Sequence, residues 1–309
     1  MQIYLPIAEI PVNIILVLIL GFGAGFLSGM FGIGGGFIAT PLLMFIGISP
    51  AIAVSTSTNQ IIAASISGLL AHFRKASVDV KMGWFLVFGG FIGSTIGISI
   101  FKILQATGNI DIAIPIIYVL FLGIISYTML RDSIKNILEV RYGIRWNKRR
   151  TGRLRKVLQK IQSLPLQTYF PKSDVKVSIF VPIIISIFVG ILVSLMGVGG
   201  GFLMIPAMIY ILRMPSSVVV GTSLFQIVFI ASNATFLQAV TNHSVDIILS
   251  FLMIVSSAIG AQFGTRAGYK VDGDTMRFVL SLMLFGVCLK MFLVLFSRPQ
   301  NLYIIEMIR

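Results

Sequence analysis

Apolar residues fall in long blocks along this chain, and polar residues gather in the shorter stretches between them. About 20 consecutive apolar residues are enough to cross a bilayer as a helix. Blocks of that kind occupy residues 12–33, 50–72, 82–101 and 111–130, then, after a gap, 175–197, 215–241, 246–266 and 276–296. Two further apolar runs, 34–48 and 199–212, are too short for ordinary spans. Each follows a glycine cluster and contains a proline, Pro41 or Pro206. The pattern predicts an all-α integral membrane protein whose short, Gly/Pro-broken half-helices lie near the midplane.

Composition supports that class. Of 309 residues, 57% are hydrophobic and 11% charged, and the mean hydropathy is +0.99. Soluble domains have about 45–50% apolar and roughly 25% charged residues, so too few charges are present to cover a water-facing surface. A soluble enzyme, a nucleic-acid-binding domain and a disordered chain are excluded. The balance of 24 Lys and Arg against 10 Asp and Glu gives a net charge of +14. In a membrane protein such an excess belongs to the cytoplasmic loops. Cys288 is the sole cysteine, so a disulfide framework is impossible. The N-terminus lacks a basic n-region and a small-residue cleavage site, and no removable signal peptide is expected.

The two halves of the chain are alike. Gly25 opens GFLSGMFGIGGGFIATPLLMFIG and Gly190 opens GILVSLMGVGGGFLMIPAMIYIL. Ser55-Thr56-Ser57 aligns with Gly221-Thr222-Ser223, Gln60 with Gln226, and Ser77-Val78-Asp79 with Ser244-Val245-Asp246. Gly93 and Gly97 match Gly260 and Gly264. The expected organisation is an N-terminal membrane repeat at 1–131, a basic cytoplasmic linker at 132–175 and a C-terminal membrane repeat at 176–309. More than half of all Lys and Arg residues lie in and around that linker, where Leu154, Val157, Leu158 and Ile161 are spaced as an amphipathic helix. Such a helix suits a surface of anionic lipid head groups, and a plain solvated linker fits the same residues.

Charge sets the relation between the repeats. If the short runs cross, each half has an odd number of segments and the second half is inverted. Arg74, Lys75, Lys81, Arg213, Arg266, Lys270 and Arg277 then share the linker's side, leaving Lys102, Arg298 and Arg309 opposite. If they do not cross, Arg213, Arg266, Lys270 and Arg277 change sides, which the positive-inside rule disfavours. Inverted repeats of about five segments each are therefore expected, with both termini outside.

Inverted repeats with interrupted helices place a binding site where the interruptions meet. Gly34, Gly35 and Gly36, with Gly199, Gly200 and Gly201, are the expected breaks. The half-helix after each break offers unpaired N–H groups and a positive dipole end, which suits an anion; the same glycines would also serve simple close packing. The polar run from Ser55 to Gln60 and its counterpart must avoid lipid. Thr56, Ser57 and Gln60, with Thr222, Ser223 and Gln226, are candidate ligands to a small oxyanion, and Asn233 is a weaker one; interhelical bonding is the other use for them. No Asp or Glu lies in the interior of any span, those at 111 and 246 standing at helix ends, which disfavours a carboxylate cation site or proton relay. His72 and His243 read as interfacial residues, and no metal site or cofactor is expected. Lys290 fits either snorkelling or a counter-charge to the anion. GFGAGF and GIGGGF do not complete a dinucleotide loop, and no nucleophile–base pair makes Ser28 or Ser67 catalytic.

With MFGIGGGFIATPLL and LMGVGGGFLMIPAM repeated across two halves, and with GTS at 221–223 and GAQFGTR at 260–266, the sequence resembles the sulfite exporter TauE/SafE family of membrane permeases. The resemblance covers nearly the whole chain. It implies a transporter, not an enzyme, that moves sulfite, a sulfonate or a related small sulfur-containing anion across the cytoplasmic membrane. The residues themselves indicate only a duplicated carrier suited to anions and moving by alternating access, with a passive anion channel or a non-transporting scaffold or sensor using the basic loop as the competing readings.

Overall fold

The fold is taken from a computed structural model that describes residues 2–142, 165–242, 244–268 and 273–296. The first half contains α1 (Ile14–Phe31), α2 (Gly36–Phe45), α3 (Pro50–Arg74), α4 (Val80–Ala106) and α5 (Ile110–Tyr142). The second contains α6 (Phe180–Met196), α7 (Gly201–Tyr210), α8 (Ser216–Thr241), α9 (Ile247–Gly268) and α10 (Gly273–Phe296). Six of these, α1, α4, α5, α8, α9 and α10, contain stretches long and apolar enough to cross a membrane. The protein is an all-α integral membrane protein. The proposed amphipathic helix around 154–161, His243 and Lys270 lie outside the described residues.

Two small antiparallel hairpins precede the halves and were not expected from the sequence. β1 (Gln2–Tyr4) pairs with β2 (Pro11–Asn13), and β3 (Gln167–Phe170) with β4 (Val175–Ser178). The apolar blocks at 12–33 and 175–197 each begin with a strand because polar residues alternate there; α1 and α6 start only afterwards. α5 continues to Tyr142, past the last apolar residues of its block and into the segment expected to link the repeats.

The direction of each helix follows from what its ends touch. Leu43 and Ile48, at and beyond the end of α2, cluster with Leu5, Val12 and Val17 around the start of α1. α2 therefore returns to the face from which α1 entered. Met208 and Leu212 cluster likewise with Phe170, Val177 and Val181, so α7 returns beside the β3–β4 hairpin. Ser55, in the second turn of α3, bonds Ser244 in the loop after α8. Thr222, early in α8, bonds Asp79 in the loop after α3. The equivalent helices α3 and α8 thus run antiparallel, as a pseudo-two-fold axis in the membrane plane requires. The repeats are inverted, and the short runs do return across the protein, as the charge pattern predicts.

The halves interlock instead of standing side by side. α1 packs on α9, α4 on α6, α3 on α8 and α5 on α10. Glycines permit the first two pairings. A Cβ on Gly25 would lie 2.5 Å from Ser257 Cα on α9, and one on Gly97 would lie 2.7 Å from Ile191 O on α6. Small residues at helix crossings let backbones approach closely where no water drives association.

Candidate functional site

The two breaks form where the sequence places glycine. α1 ends at Gly32 and α6 at Gly197, both left-handed, and each donates its N–H back to the carbonyl four residues earlier at 2.8 Å. Gly35 (φ +70) and Gly200 (φ +67) begin α2 and α7. Side chains rarely adopt these angles, so glycine fixes where the helix stops and its half-helix restarts. Gly36 N–H bonds Gly34 O at 2.9 Å and Gly201 N–H bonds Gly199 O at 2.8 Å. Among the described residues, no protein acceptor pairs with the N–H groups of Gly34, Gly35, Gly199 or Gly200.

The breaks touch one another. A Cβ on Gly34 would be 3.2 Å from Gly199 Cα, and one on Gly201 would be 2.7 Å from Ile33 Cα. Ile61 on α3 lies 3.2 Å from that Gly34 Cβ and 3.1 Å from one on Gly199. The glycines thus combine left-handed backbone with close approach. The contact also leaves no room for a guest directly between the two breaks.

The side chains expected to line a site divide into two groups. Ser57 and Ser223 are fasteners. Ser57 Oγ lies 2.5 Å from Thr40 Oγ1, 3.0 Å from Val54 O and 3.4 Å from Gly197 O. Its counterpart Ser223 donates to Val220 O at 2.8 Å and lies 3.2 Å from Gly32 O. Each serine thus reaches the end of the broken helix from the other half, helped at Gly197 by Thr40 and at Met196 O by Tyr118. Thr222 is also engaged: it donates to Val218 O at 2.8 Å and accepts the Asp79 N–H at 2.9 Å, beside the α3–α4 loop. Asn233 donates to Ser94 Oγ at 2.7 Å between α8 and α4.

Other buried groups are unpaired. Gln60 has neither its amide oxygen nor its amide nitrogen bonded, although both are buried. Thr56 Oγ1 is likewise without a partner. Gln226 donates to Ser186 Oγ at 3.0 Å, leaving only its oxygen unpaired. Ser28 Oγ, buried and unpaired, stands beside the first break, since a Cβ on Gly35 would be 3.1 Å from Ser28 Cβ. The motif pattern did not single out Ser28 or Thr40 as site residues. The usable signal was position, a hydroxyl one turn before or after a glycine break.

Charge stays at the edges. His72 and Arg74 occupy the last turn of α3 and Arg266 that of α9. Lys290 is exposed, and its Nζ sits 4.1 Å from the centre of the Phe45 ring, a cation–π contact consistent with snorkelling. Among the described residues, no group of three His, Cys, Asp or Glu could hold a metal ion. A neutral lining of N–H, hydroxyl and amide groups can hydrogen-bond an anion; it supplies no nucleophile–base pair.

A broken, inverted and interlocked pair of repeats has counterparts among known proteins. The family model for the sulfite exporter TauE/SafE matches residues 17–291. The "Probable membrane transporter protein YunE" of Bacillus subtilis is 27% identical over 281 residues, covering 88% of this chain and 94% of that protein. The "Probable membrane transporter protein YjnA" of the same bacterium is 26% identical over 278 residues, 89% of this chain and 98% of its own. A "Probable membrane transporter protein" of Xylella fastidiosa is 26% identical over 254 residues, 81% of this chain and 84% of its own. No solved structure matches. With the family model spanning both breaks and every pair of matched helices, this chain belongs to the TauE/SafE family of membrane transporters and is not an enzyme.

Proposed function

We propose that the protein is a secondary transporter that moves sulfite, a sulfonate or a related small sulfur-containing anion across the cytoplasmic membrane by alternating access. The observation that carries this reading is the buried, wholly unpaired amide of Gln60, next in α3 to Ile61, which touches both breaks. An unpaired buried polar group costs about 1–3 kcal/mol. A guest beside the crossing that accepts from the amide nitrogen and from the N–H groups of one break, Gly34 and Gly35 or Gly199 and Gly200, would offset part of that cost. Gly36 and Gly201 shape the same turns, Thr56 and Gln226 add neighbouring polar groups, and Ser57, Ser223, Thr222 and Asn233 hold the helices that carry them. The family's name supports the choice of anion, and the confinement of carboxylates to loops and helix ends agrees with it.

The basic residues support an orientation. Arg74, Lys75, Lys81, Lys172, Lys176, Arg213 and Arg266 all fall on the face that bears the β3–β4 hairpin. That face is cytoplasmic under the positive-inside rule. The 132–175 segment then joins two membrane repeats on the inside, against anionic lipid head groups, and both termini lie outside.

Purified protein in proteoliposomes tests the proposal. Saturable sulfite flux with trans-stimulated counterflow is expected. Non-saturating conductance would make it a channel, and no flux of any sulfur oxyanion would overturn transport of this class.

A further inference from the structure

The repeats are symmetric in backbone but not in the chemistry beside their breaks. Next to Gly35 stands Ser28, with its hydroxyl buried and unpaired. At the matching place in the second half is Val193, whose Cγ2 would lie 2.7 Å from a Cβ on Gly200. Gln60 is unpaired at both amide atoms, whereas its counterpart Gln226 is tied to Ser186. The reason lies in the sequence. The position matching Ser186 in the first half is Gly21, which has no side chain to offer Gln60. The first break therefore has a free hydroxyl where the second has valine, and the first half has an amide free at both atoms where the second has one free at its oxygen alone.

Position ties these groups together. Ile61, next to Gln60 in α3, touches both breaks, and Ser257 on α9 places its Oγ 3.5 Å from Gln60 O while packing on Gly25 of α1. The helix that starts at Gly35 is 10 residues long and turns its N-terminal dipole toward the same break.

We propose that the guest is held on one side of the pseudo-two-fold axis, in the first half, by Ser28, Gln60 and the N–H groups of Gly34 and Gly35, and that it is a singly charged oxyanion. This rests on the anion-transport reading above. The charge follows from the lining. Among the described residues no cation faces the break, and the cost of burying an ion grows with the square of its charge, so a dianion would lose about four times as much hydration as a monoanion. Among the described residues, titratable groups on the helices packed around this break include His72 and Arg74 on α3 and Arg266 on α9, each in the last turn of its helix, Tyr118 on α5 beside Thr40, and Lys290 on α10, whose Nζ lies over Phe45 at the far end of α2.

Binding to the purified, detergent-solubilised protein, followed by calorimetry with sulfite and sulfate on either side of sulfite's second ionisation, tests the proposal. Sulfite should bind more tightly on the acid side, and sulfate should bind at least about tenfold more weakly than sulfite there. Ser28→Ala and Gln60→Ala should each weaken sulfite binding by about tenfold or more without lowering Tm, while Val193→Ala leaves affinity unchanged. His72→Gln, which installs the residue of the matching position Gln238, should keep the pH dependence. Sulfate binding equal to sulfite, a pH dependence lost in His72→Gln, or equal effects of Ser28→Ala and Val193→Ala would overturn the one-sided monoanion site. Those outcomes leave anion transport standing; only a wild-type protein that binds no sulfur oxyanion removes both.

Discussion

The main-chain N–H of Asp79 donates to Thr222 Oγ1 at 2.9 Å, whereas Thr56, in the matching place of the other half, has no partner. The neighbouring residues explain the difference. Gly221 lets the α3–α4 loop settle so close that a Cβ there would lie 2.5 Å from Ser77 O. At the matching position Ser55 interposes its hydroxyl, 2.6 Å from Ser244 Oγ. One face is fastened by backbone against helix, the other by two side chains.

Thr222→Val therefore removes a fastener. It strands the Asp79 N–H in a buried site and should lower stability by about 1–3 kcal/mol. Thermal unfolding of the purified variant checks this, and an unchanged Tm would contradict it. Gly221→Ser should act in the same direction by forcing the loop away.

Asp79 and Asp246 look interchangeable but are not. Asp79 accepts the Met82 N–H at 3.0 Å and the Ser173 hydroxyl at 2.5 Å. Asp246 accepts two main-chain N–H groups, Leu249 and Ile7, both at 3.0 Å. A hydroxyl can reverse its role and an N–H cannot. Asp79→Asn should cost little, whereas Asp246→Asn turns an amide NH₂ against a donor and should destabilise by about 1–3 kcal/mol. Comparing the two unfolding temperatures decides it.

The glycines of α1 are equally unequal. A Cβ on Gly29 would overlap the main chain of Ala261, so Gly29→Ala should separate α1 from α9 and cost about 1–3 kcal/mol or more. Gly23 has nothing within 4 Å. Gly23→Ala should be neutral or stabilising by up to about 1 kcal/mol. Recovery of monodisperse protein and its Tm report both.

Tyr118→Phe tests the fastening of the second break. The hydroxyl of this fully buried residue donates to Met196 O, one residue before Gly197. Its loss leaves a buried carbonyl short of a donor, with an expected cost of about 1–3 kcal/mol. A Tm matching the parent protein would show that the carbonyl finds another partner.

Some of the site was readable in the residues and some was not. Gly35 and Gly200 were readable because a glycine triplet between an apolar helix and a short run with proline has few other uses. The inversion was readable because charge obeys the membrane's asymmetry whatever the packing. Ser57 and Thr222 were read as candidate ligands on their polarity alone. In the structure their hydroxyls go to Gly197 O and to the Asp79 N–H. Residue type gives the capacity to hydrogen-bond; only the neighbours brought from 140 and 143 residues away decide what takes it up.

The two hairpins were missed for a related reason. Strands of 3 or 4 residues at Gln2–Tyr4 and Gln167–Phe170 are too short to carry a periodic signal of their own. They are held by loops of the opposite half, Ile7 by Asp246 and Ser173 by Asp79.

By itself the sequence determined the solvent, the duplication and the two interruptions, because hydropathy, repeat spacing and glycine act locally or through the bilayer. Tertiary structure alone decided that the interruptions touch, that α1 and α6 pack in the opposite halves, and that Ser28 and both amide atoms of Gln60 stay unpaired while the Gln226 nitrogen finds Ser186. Those outcomes depend on which atoms meet across distant segments.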